Sequence, residues 1–495
     1  MTVSPATEAG LSPWREVLDR VAAGDRFAGL LALAPGAPAS SDADNSNKRG
    51  LSAHLARPGG VDVIDVPLPP GATSYPALTP DLNAAFWYER VIADQTGITP
   101  EGHPRPAPLV RPGNPGDHFL PRHVDGYGLF TIPHGPVRSG IVESMEYLVE
   151  TPGEAIPHLN MRIFYKHRAV AARFEGRSAD DGVLLAERAE GTAAVAHALA
   201  YCHAVEAVAG LEVPRAAALV RVIHAELERI ANHLDVAVRL ADAAGLAVAT
   251  ARFAVHKERV MRLVGAACGS RFGRGVVVPG GVSAVPRVEE VQLAALEKAV
   301  TADAEALMAT SSFLDRLRGT GPLTPERARE HGALGPVGKA SGYDDDARAA
   351  RPYDAYPQLL ARAGGPPEPR QHRDGDALAR LRVRWDEVAR AFELVRLAAT
   401  ELATEQCDHS SERIVAPAQR PPTAIGGRAV GWAEAPQGEV LYDVTVDGGR
   451  IERCQPRSAS FHNLVLMHEV FKGDILTDFP FIEASFGLSV AGAAL

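Results

Sequence analysis

The sequence predicts an α+β protein, mostly helical, with a small α+β domain at its N-terminus. Three observations carry that expectation. Leu219, Val222, Ile223, Leu227, Ile230 and Leu234 recur with the 3.6-residue helical period. Val61-Asp62-Val63-Ile64-Asp65-Val66 alternates apolar and polar residues, the two-residue period of a strand. A chain of 495 residues is longer than one ordinary core serves, so two or more domains are expected.

Residues 1–120 are rich in Pro and Gly and form the expected small α+β domain. The polar run from Ser40 to Arg49 cannot bury enough apolar surface to order itself, which predicts a flexible insertion over residues 36–52. Arg111-Pro112-Gly113-Asn114-Pro115-Gly116 reads as a linker. The larger, helix-rich body spans residues 121–495. Strands are expected over 140–150 and 160–165. A long helix of small residues is expected over 182–208, and a second over 215–243 after the Pro214 turn. Further helices are expected over 252–269, 287–318 and 375–405, with a break at Pro279-Gly280-Gly281. Residues 438–446 read as a strand ending in the Asp447-Gly448-Gly449 turn.

The hydrophobic share of 46% and charged share of 23% are those of a globular protein. A net charge of -10 argues against a nucleic-acid partner, whose electrostatic footprint would be basic. The four cysteines, Cys202, Cys268, Cys407 and Cys454, form no CxxC pair, so a reduced cytoplasmic setting is expected. Met1 to Gly10 lacks the basic-then-apolar pattern of a signal peptide, and no stretch reaches the roughly 20 apolar residues of a membrane span. Any membrane attachment is therefore expected to come through partners.

Three groups of residues carry candidate chemistry. His197 and His203 are six residues apart, about 600° of helical rotation, so they face different ways and make a poor metal pair. Glu226, Arg229 and His233 share one helix face at i, i+3 and i+7. Buried, the Glu226–Arg229 pair would fix helix orientation or relay protons. His134-Gly135-Pro136-Val137-Arg138 is a turn of the kind that lets backbone approach a partner closely. No dinucleotide fingerprint or phosphate-binding loop occurs in a strand–helix context.

The motifs resemble a known family. Trp87-Tyr88-Glu89-Arg90 and the stretch from Gly97 to Pro104 look like the signature of the thirty-kilodalton subunit of complex I. Gly135-Pro136-Val137, Tyr165-Lys166-His167-Arg168, Glu187-Arg188, the stretch from Glu226 to Leu234, Pro279-Gly280-Gly281-Val282, Ala340-Ser341-Gly342, Pro352-Tyr353, Glu434-Ala435-Pro436 and Ser460-Phe461 match a large redox subunit. The chain resembles the large subunit of group 4, energy-converting [NiFe] hydrogenases of the formate-hydrogenlyase and hydrogenase-4 type. That subunit is homologous to the forty-nine-kilodalton subunit of respiratory complex I. The resemblance implies the fold shared by those two subunits over residues 121–495, with a domain like the thirty-kilodalton subunit before it.

In those hydrogenases two CxxC pairs hold nickel and iron. By the resemblance, Glu190 and Ala193 stand at the first pair and Ser489 and Gly492 at the second. None is a thiolate, so a tetrathiolate nickel site is not expected. Gln437 stands at the arginine expected beside the metal, while His197 is kept. The quinone-headgroup histidine of complex I falls at Arg138 and the tyrosine opposite it at Leu185; Arg138 still donates to a carbonyl oxygen.

The resemblance implies a subunit of a membrane-associated, hydrogenase-4-like or complex I-like oxidoreductase. It would bind no cofactor itself and would lie peripherally on the inner, cytoplasmic face of the membrane. Its expected partners are a small iron–sulfur subunit similar to the twenty-kilodalton subunit of complex I and antiporter-like membrane subunits. Arg138, Glu190, His197 and Glu226 are expected to line a cavity facing the iron–sulfur partner. Glu190 and His197 are the catalytic candidates, and His134, Arg138, Glu226, Arg229 and His233 are the quinone or proton-path candidates. The alternative is a catalytically silent scaffold holding the iron–sulfur subunit on the membrane arm.

Overall fold

Helix Arg215–Ala243 is the spine of the molecule. Its periodic residues Leu219, Val222, Ile223, Leu227, Ile230 and Leu234 are fully buried. They pack against helices Ala247–Cys268 and Ala377–Asp408 in the largest apolar cluster. At about 25 cal/mol per Å² of buried apolar surface, such a face is worth far more than helix propensity. The computed structural model describes residues 5–33, 50–110, 119, 121–138, 143–286, 288–365, 372–408 and 425–495. Among them no helix is long and apolar enough to cross a membrane.

Among the described residues three three-stranded antiparallel sheets, and two short two-stranded sheets, accompany the helices. The first runs Arg26–Ala32, Gly50–Arg57 and Gly60–Pro67, in that order. The second is Phe130–His134, Glu146–Thr151 and His158–Arg162. The third is Gly427–Ala435, Gly438–Asp447 and Arg450–Arg457.

The strand Gly438–Asp447 is covered on both faces, and its two-residue alternation sorts its side chains. Val440, Tyr442, Val444 and Val446 join the apolar cluster around helix Ala194–Ala209. Glu439 and Asp443 turn toward the first sheet. Arg26 donates to Glu439 at 2.6 Å, and the His54 imidazole lies 3.0 Å from Asp443. The N-terminal sheet is therefore held to the large body by a buried ion pair and a buried imidazole–carboxylate contact as well as apolar contact. Gly431 permits the close approach of helix Ala194–Ala209: a Cβ there would stand 2.1 Å from the Ala200 carbonyl oxygen.

The structure corrects three expected boundaries. The helix expected over 182–208 is two helices, Ala179–Ala186 and Ala194–Ala209, with residues 187–193 between them as turn and loop. The second helix starts where the Glu228 carboxylate accepts from the N–H groups of Val195 (2.7 Å) and Ala196 (3.0 Å), a cap supplied from a distant helix. The helix expected over 287–318 divides into Glu290–Met308 and Ser311–Leu317, because Thr310 adopts an extended backbone. The insertion expected over 36–52 ends earlier. Leu51 pairs with Ala32 and Val66 in the first sheet and is fully buried. The polar run over 40–49 and the linker over 111–116 lie outside the described residues.

Candidate functional site

The loop between the two small-residue helices brings Glu190 against the last residues of the chain. Glu190 is 2% exposed. Its Oε1 accepts from the Gln437 amide at 2.8 Å and from the Thr192 hydroxyl at 3.1 Å. Its Oε2 lies 3.5 Å from His197 Nε2, which has no hydrogen-bond partner among the described residues. The other nitrogen, Nδ1, is 2.9 Å from the Tyr442 hydroxyl. Gln437 itself sits in the turn joining strands Gly427–Ala435 and Gly438–Asp447.

Of the four positions equated with nickel ligands, Glu190 and Gly492 are in direct contact. A Cβ on Gly492 would stand 2.1 Å from Glu190 Oε2, so the carboxyl fills the space a side chain there would enter. Ala193 is fully buried in the apolar cluster around its helix. Ser489 caps the final helix, Val490–Ala493, by accepting from Gly492 N–H at 3.1 Å, and donates to Glu143 at 2.8 Å. Arg168 clamps the two segments, donating to the Ala189 carbonyl at 2.5 Å and the Ala491 carbonyl at 2.7 Å. These residues offer no thiolate, and the Glu190 carboxyl lies against Gly492. They do not fit a tetrathiolate nickel ion. Among the described residues no three His, Cys, Asp or Glu side chains are disposed to hold a metal.

Glu226, Arg229 and His233 lie in a second, wholly buried cluster. Arg229 is 3.2 Å from Glu226 and 3.3 Å from Glu387; His233 Nε2 is 2.8 Å from Glu387. His233 thus joins the pair through Glu387 and not directly. Arg348 pairs with Glu226 at 3.0 Å and Asp346 at 2.7 Å, and Lys339 with Asp346 and Glu387, each at 2.7 Å. The Tyr356 hydroxyl donates to Glu226 at 2.6 Å. Burial opposes the charge on Glu226, but Arg229 and Arg348 hold its carboxyl below the usual range. Burial pulls His233 down to about 4, so the ring is neutral.

Glu434 completes this cluster. It is 2% exposed; Oε2 accepts from Ala347 N–H at 3.0 Å, and Oε1 has no partner among the described residues. Four carboxyls here face three bonded cations. Burial, and then the Asp346 carboxylate, push Glu434 up to about 8. Arg229 also donates to the Glu434 carbonyl at 2.7 Å, which fixes the turn that carries Gln437 to Glu190.

His134 and Arg138 belong to a third group. Arg138 pairs with Glu483 at 2.8 Å and lies over the Tyr147 ring, 5.0 Å from its centroid. Tyr147 donates to Glu483 at 2.9 Å. His134 stacks on Tyr147 at 6.4 Å, and burial and the Arg138 cation lower its pKa. Arg138 is buried, yet Nε and Nη2 find no partner among the described residues. It lines a cleft of about 220 Å³ with Glu143, Tyr147, Arg239 and Glu483.

The expected single cavity lined by Arg138, Glu190, His197 and Glu226 is thus corrected. Arg138 lines a cleft, Glu190 and His197 sit behind it, and Glu226 is enclosed by Arg229, Arg348 and Tyr356. The groups still connect: Glu143 reaches from the cleft to Ser489, Gly492 touches Glu190, and Gln437 joins Glu190 to the Glu434 turn. Leu185 packs on the core around helix Ala194–Ala209 and not in the cleft. His203 keeps a structural role, 3.1 Å from Asp354.

Sequence reasoning missed Lys339, Asp346, Arg348 and Glu387 as site residues. Glu387 left one signal. It interrupts the apolar stripe Val383, Ala391, Val395, which recurs every four residues with Glu387 in the second place.

Comparison with known proteins gives the context. The family model described as "Respiratory-chain NADH dehydrogenase, 49 Kd subunit" matches residues 244–493. Formate hydrogenlyase subunit 5 of Escherichia coli is 27% identical over 447 residues, covering 83% of this chain and 75% of that protein. An NADH-quinone oxidoreductase subunit of Chlorobaculum parvum is 30% identical over 353 residues, covering 70% of this chain and 85% of that protein. A chain in the structure of the membrane-bound sulfane sulfur reductase, an archaeal respiratory membrane complex, superposes with a TM-score of 0.67 at 22% identity. The match covers 75% of this chain and all of that one, and speaks to the fold alone.

Proposed function

Because the chain belongs to the family of the respiratory-chain NADH dehydrogenase 49 kDa subunit, we propose that it is the large subunit of a membrane-associated oxidoreductase assembly and handles protons where its hydrogenase relatives handle hydrogen. The assembly is of the kind its formate hydrogenlyase, hydrogenase-4 and NADH-quinone oxidoreductase relatives are named for. Its partners in this reading are a small iron–sulfur subunit similar to that of complex I and antiporter-like membrane subunits. The chain lies peripherally on their cytoplasmic side.

One observation supports this reading above the others: the buried Glu190 carboxyl, held by Gln437 and 3.5 Å from His197, at the position where the resemblance expects a metal ligand. Carboxyl and imidazole groups out of contact with water exchange a proton with small changes in their surroundings. Glu190 receives or releases the proton, His197 holds it against Tyr442, and Glu143 with Ser489 leads to the cleft. Arg138 lines that cleft, and its Nε and Nη2, buried without a partner among the described residues, are the donors that a carbonyl oxygen of a small electron acceptor such as a quinone would meet. Electrons come from the iron–sulfur partner, and the chain supplies position and protons.

The test is electron transfer to a quinone analogue by the purified assembly. Glu190→Ala and His197→Ala are each expected to lower turnover at least tenfold, within the range of a lost general acid–base group, while the subunits stay together. Unchanged turnover in both variants counts against the proton role. An intact wild-type assembly that reduces no acceptor identifies the chain as a scaffold.

A further inference from the structure

Helices Arg215–Ala243 and Ala247–Cys268, with the turn at 271–273, enclose a cleft of about 70 Å³ beside the loop that carries Thr192. Its walls are mostly apolar, including Leu227, Met261, Val264 and Phe272. Thr192, Glu228, Asn232, Asp235, Lys257 and Arg271 also line it, but one polar side chain stands apart from them. His224 is 1% exposed, and neither of its ring nitrogens has a partner among the described residues. Each such unpaired buried atom costs about 1–3 kcal/mol, so native chains seldom keep two on one ring without a use.

Gly273 lies beside the imidazole. A Cβ there would stand 3.9 Å from His224 Nδ1 and 2.7 Å from Val195 Cγ2, narrowing the cleft at its deep end. The charged neighbours are already satisfied. Lys257 pairs with Asp235 at 2.6 Å, Arg271 pairs with Glu258, and the Glu228 carboxylate accepts from two backbone N–H groups. The cleft therefore offers no free charge. It offers an apolar slot and one uncharged ring with one donor and one acceptor; burial holds that ring at about 4, well below its ordinary pKa.

We infer that this cleft is a binding site for a small neutral aromatic molecule carrying a hydroxyl or carbonyl group, whose ring lies on the apolar wall and whose oxygen pairs with His224. Nothing in the proton reading above is needed for it.

The experiment uses the full chain labelled with ¹⁵N at histidine and two probes of nearly equal shape, p-cresol and toluene. The wild type is expected to bind p-cresol at least tenfold more tightly than toluene, with a shift of the His224 ring nitrogen resonances. One neutral hydrogen bond in a dry site gives a preference of that size. His224→Leu, which removes both unpaired nitrogens, is expected to abolish the preference while toluene still binds. Ala231→Phe fills the slot and is expected to remove both ligands, so the proposal stays testable even if His224→Leu fails to fold. Equal affinity for the two probes, a preference that survives His224→Leu, or no binding by the wild type overturns the assignment. So does finding the cleft filled by a partner subunit's side chain in the assembly.

Discussion

Gly492 and Glu190 occupy one space, and that contact can be tested by substitution. A Cβ added at Gly492 would stand 2.1 Å from Glu190 Oε2 and 2.7 Å from its Cδ. Separations under 3.0 Å are not sustained, so the carboxyl must withdraw from a position that Gln437 and Thr192 hold by hydrogen bonds. Overpacking of this kind costs about 1–3 kcal/mol, and a broken hydrogen bond adds about 1 kcal/mol. Gly492 lies in a helical turn, where alanine is favoured by up to about 1 kcal/mol. Gly492→Ala alone should therefore destabilise the chain by about 2 kcal/mol. With Glu190→Ala already in place the clash is gone, and Gly492→Ala should be neutral or slightly stabilising. Urea unfolding of the four proteins measures the coupling, expected to be about 2 kcal/mol. An equal cost of Gly492→Ala in both backgrounds would refute the placement of Glu190.

Three further outcomes follow from the same geometry. Lys339→Met strips the cation bonded to Asp346 and Glu387, leaving buried carboxylates underpaired, and should cost about 3–5 kcal/mol in urea unfolding; a cost below about 1 kcal/mol contradicts the cluster. Glu434 keeps its proton in the folded state at pH values where an unfolded glutamate, near 4.5, has released it. Its contribution to stability is thus fully present below about 4.5 and is lost as pH rises toward about 8. Glu434→Gln should make the stability–pH slope in that window shallower by about 1.4 kcal/mol per pH unit, and an unchanged slope would refute the protonated assignment. Arg168→Ala removes the clamp between Ala189 and Ala491, so amide exchange at residues 489–493 should accelerate; unaltered exchange there would show that the clamp is idle.

The helical body was legible because long amphipathic helices advertise their period. The apolar positions from Leu219 to Leu234 all proved buried on one packed face. The loop over 187–193 was not legible. Its Ala, Gly and Thr residues carry no period, and its break depends on a cap from Glu228, which belongs to the next long helix. For the site, the ion pair between Glu226 and Arg229 could be read from i, i+3 spacing. Lys339, Arg348, Glu387 and Glu434 could not, since they come from four segments that only the fold brings together. Glu190 and Gly492 were singled out by resemblance, but their mutual contact, between an early core loop and the end of the chain, is a fact of tertiary structure.

The claim beneath all of this is that a carboxyl and an amide fill the place where the resemblance expects a metal. Elemental analysis of the purified assembly, paired with X-ray absorption at the nickel edge, tests it most directly. Iron in the amount of the partner's clusters and no stoichiometric nickel is the predicted result. A full complement of nickel bound through Glu190 and Ser489 would contradict it.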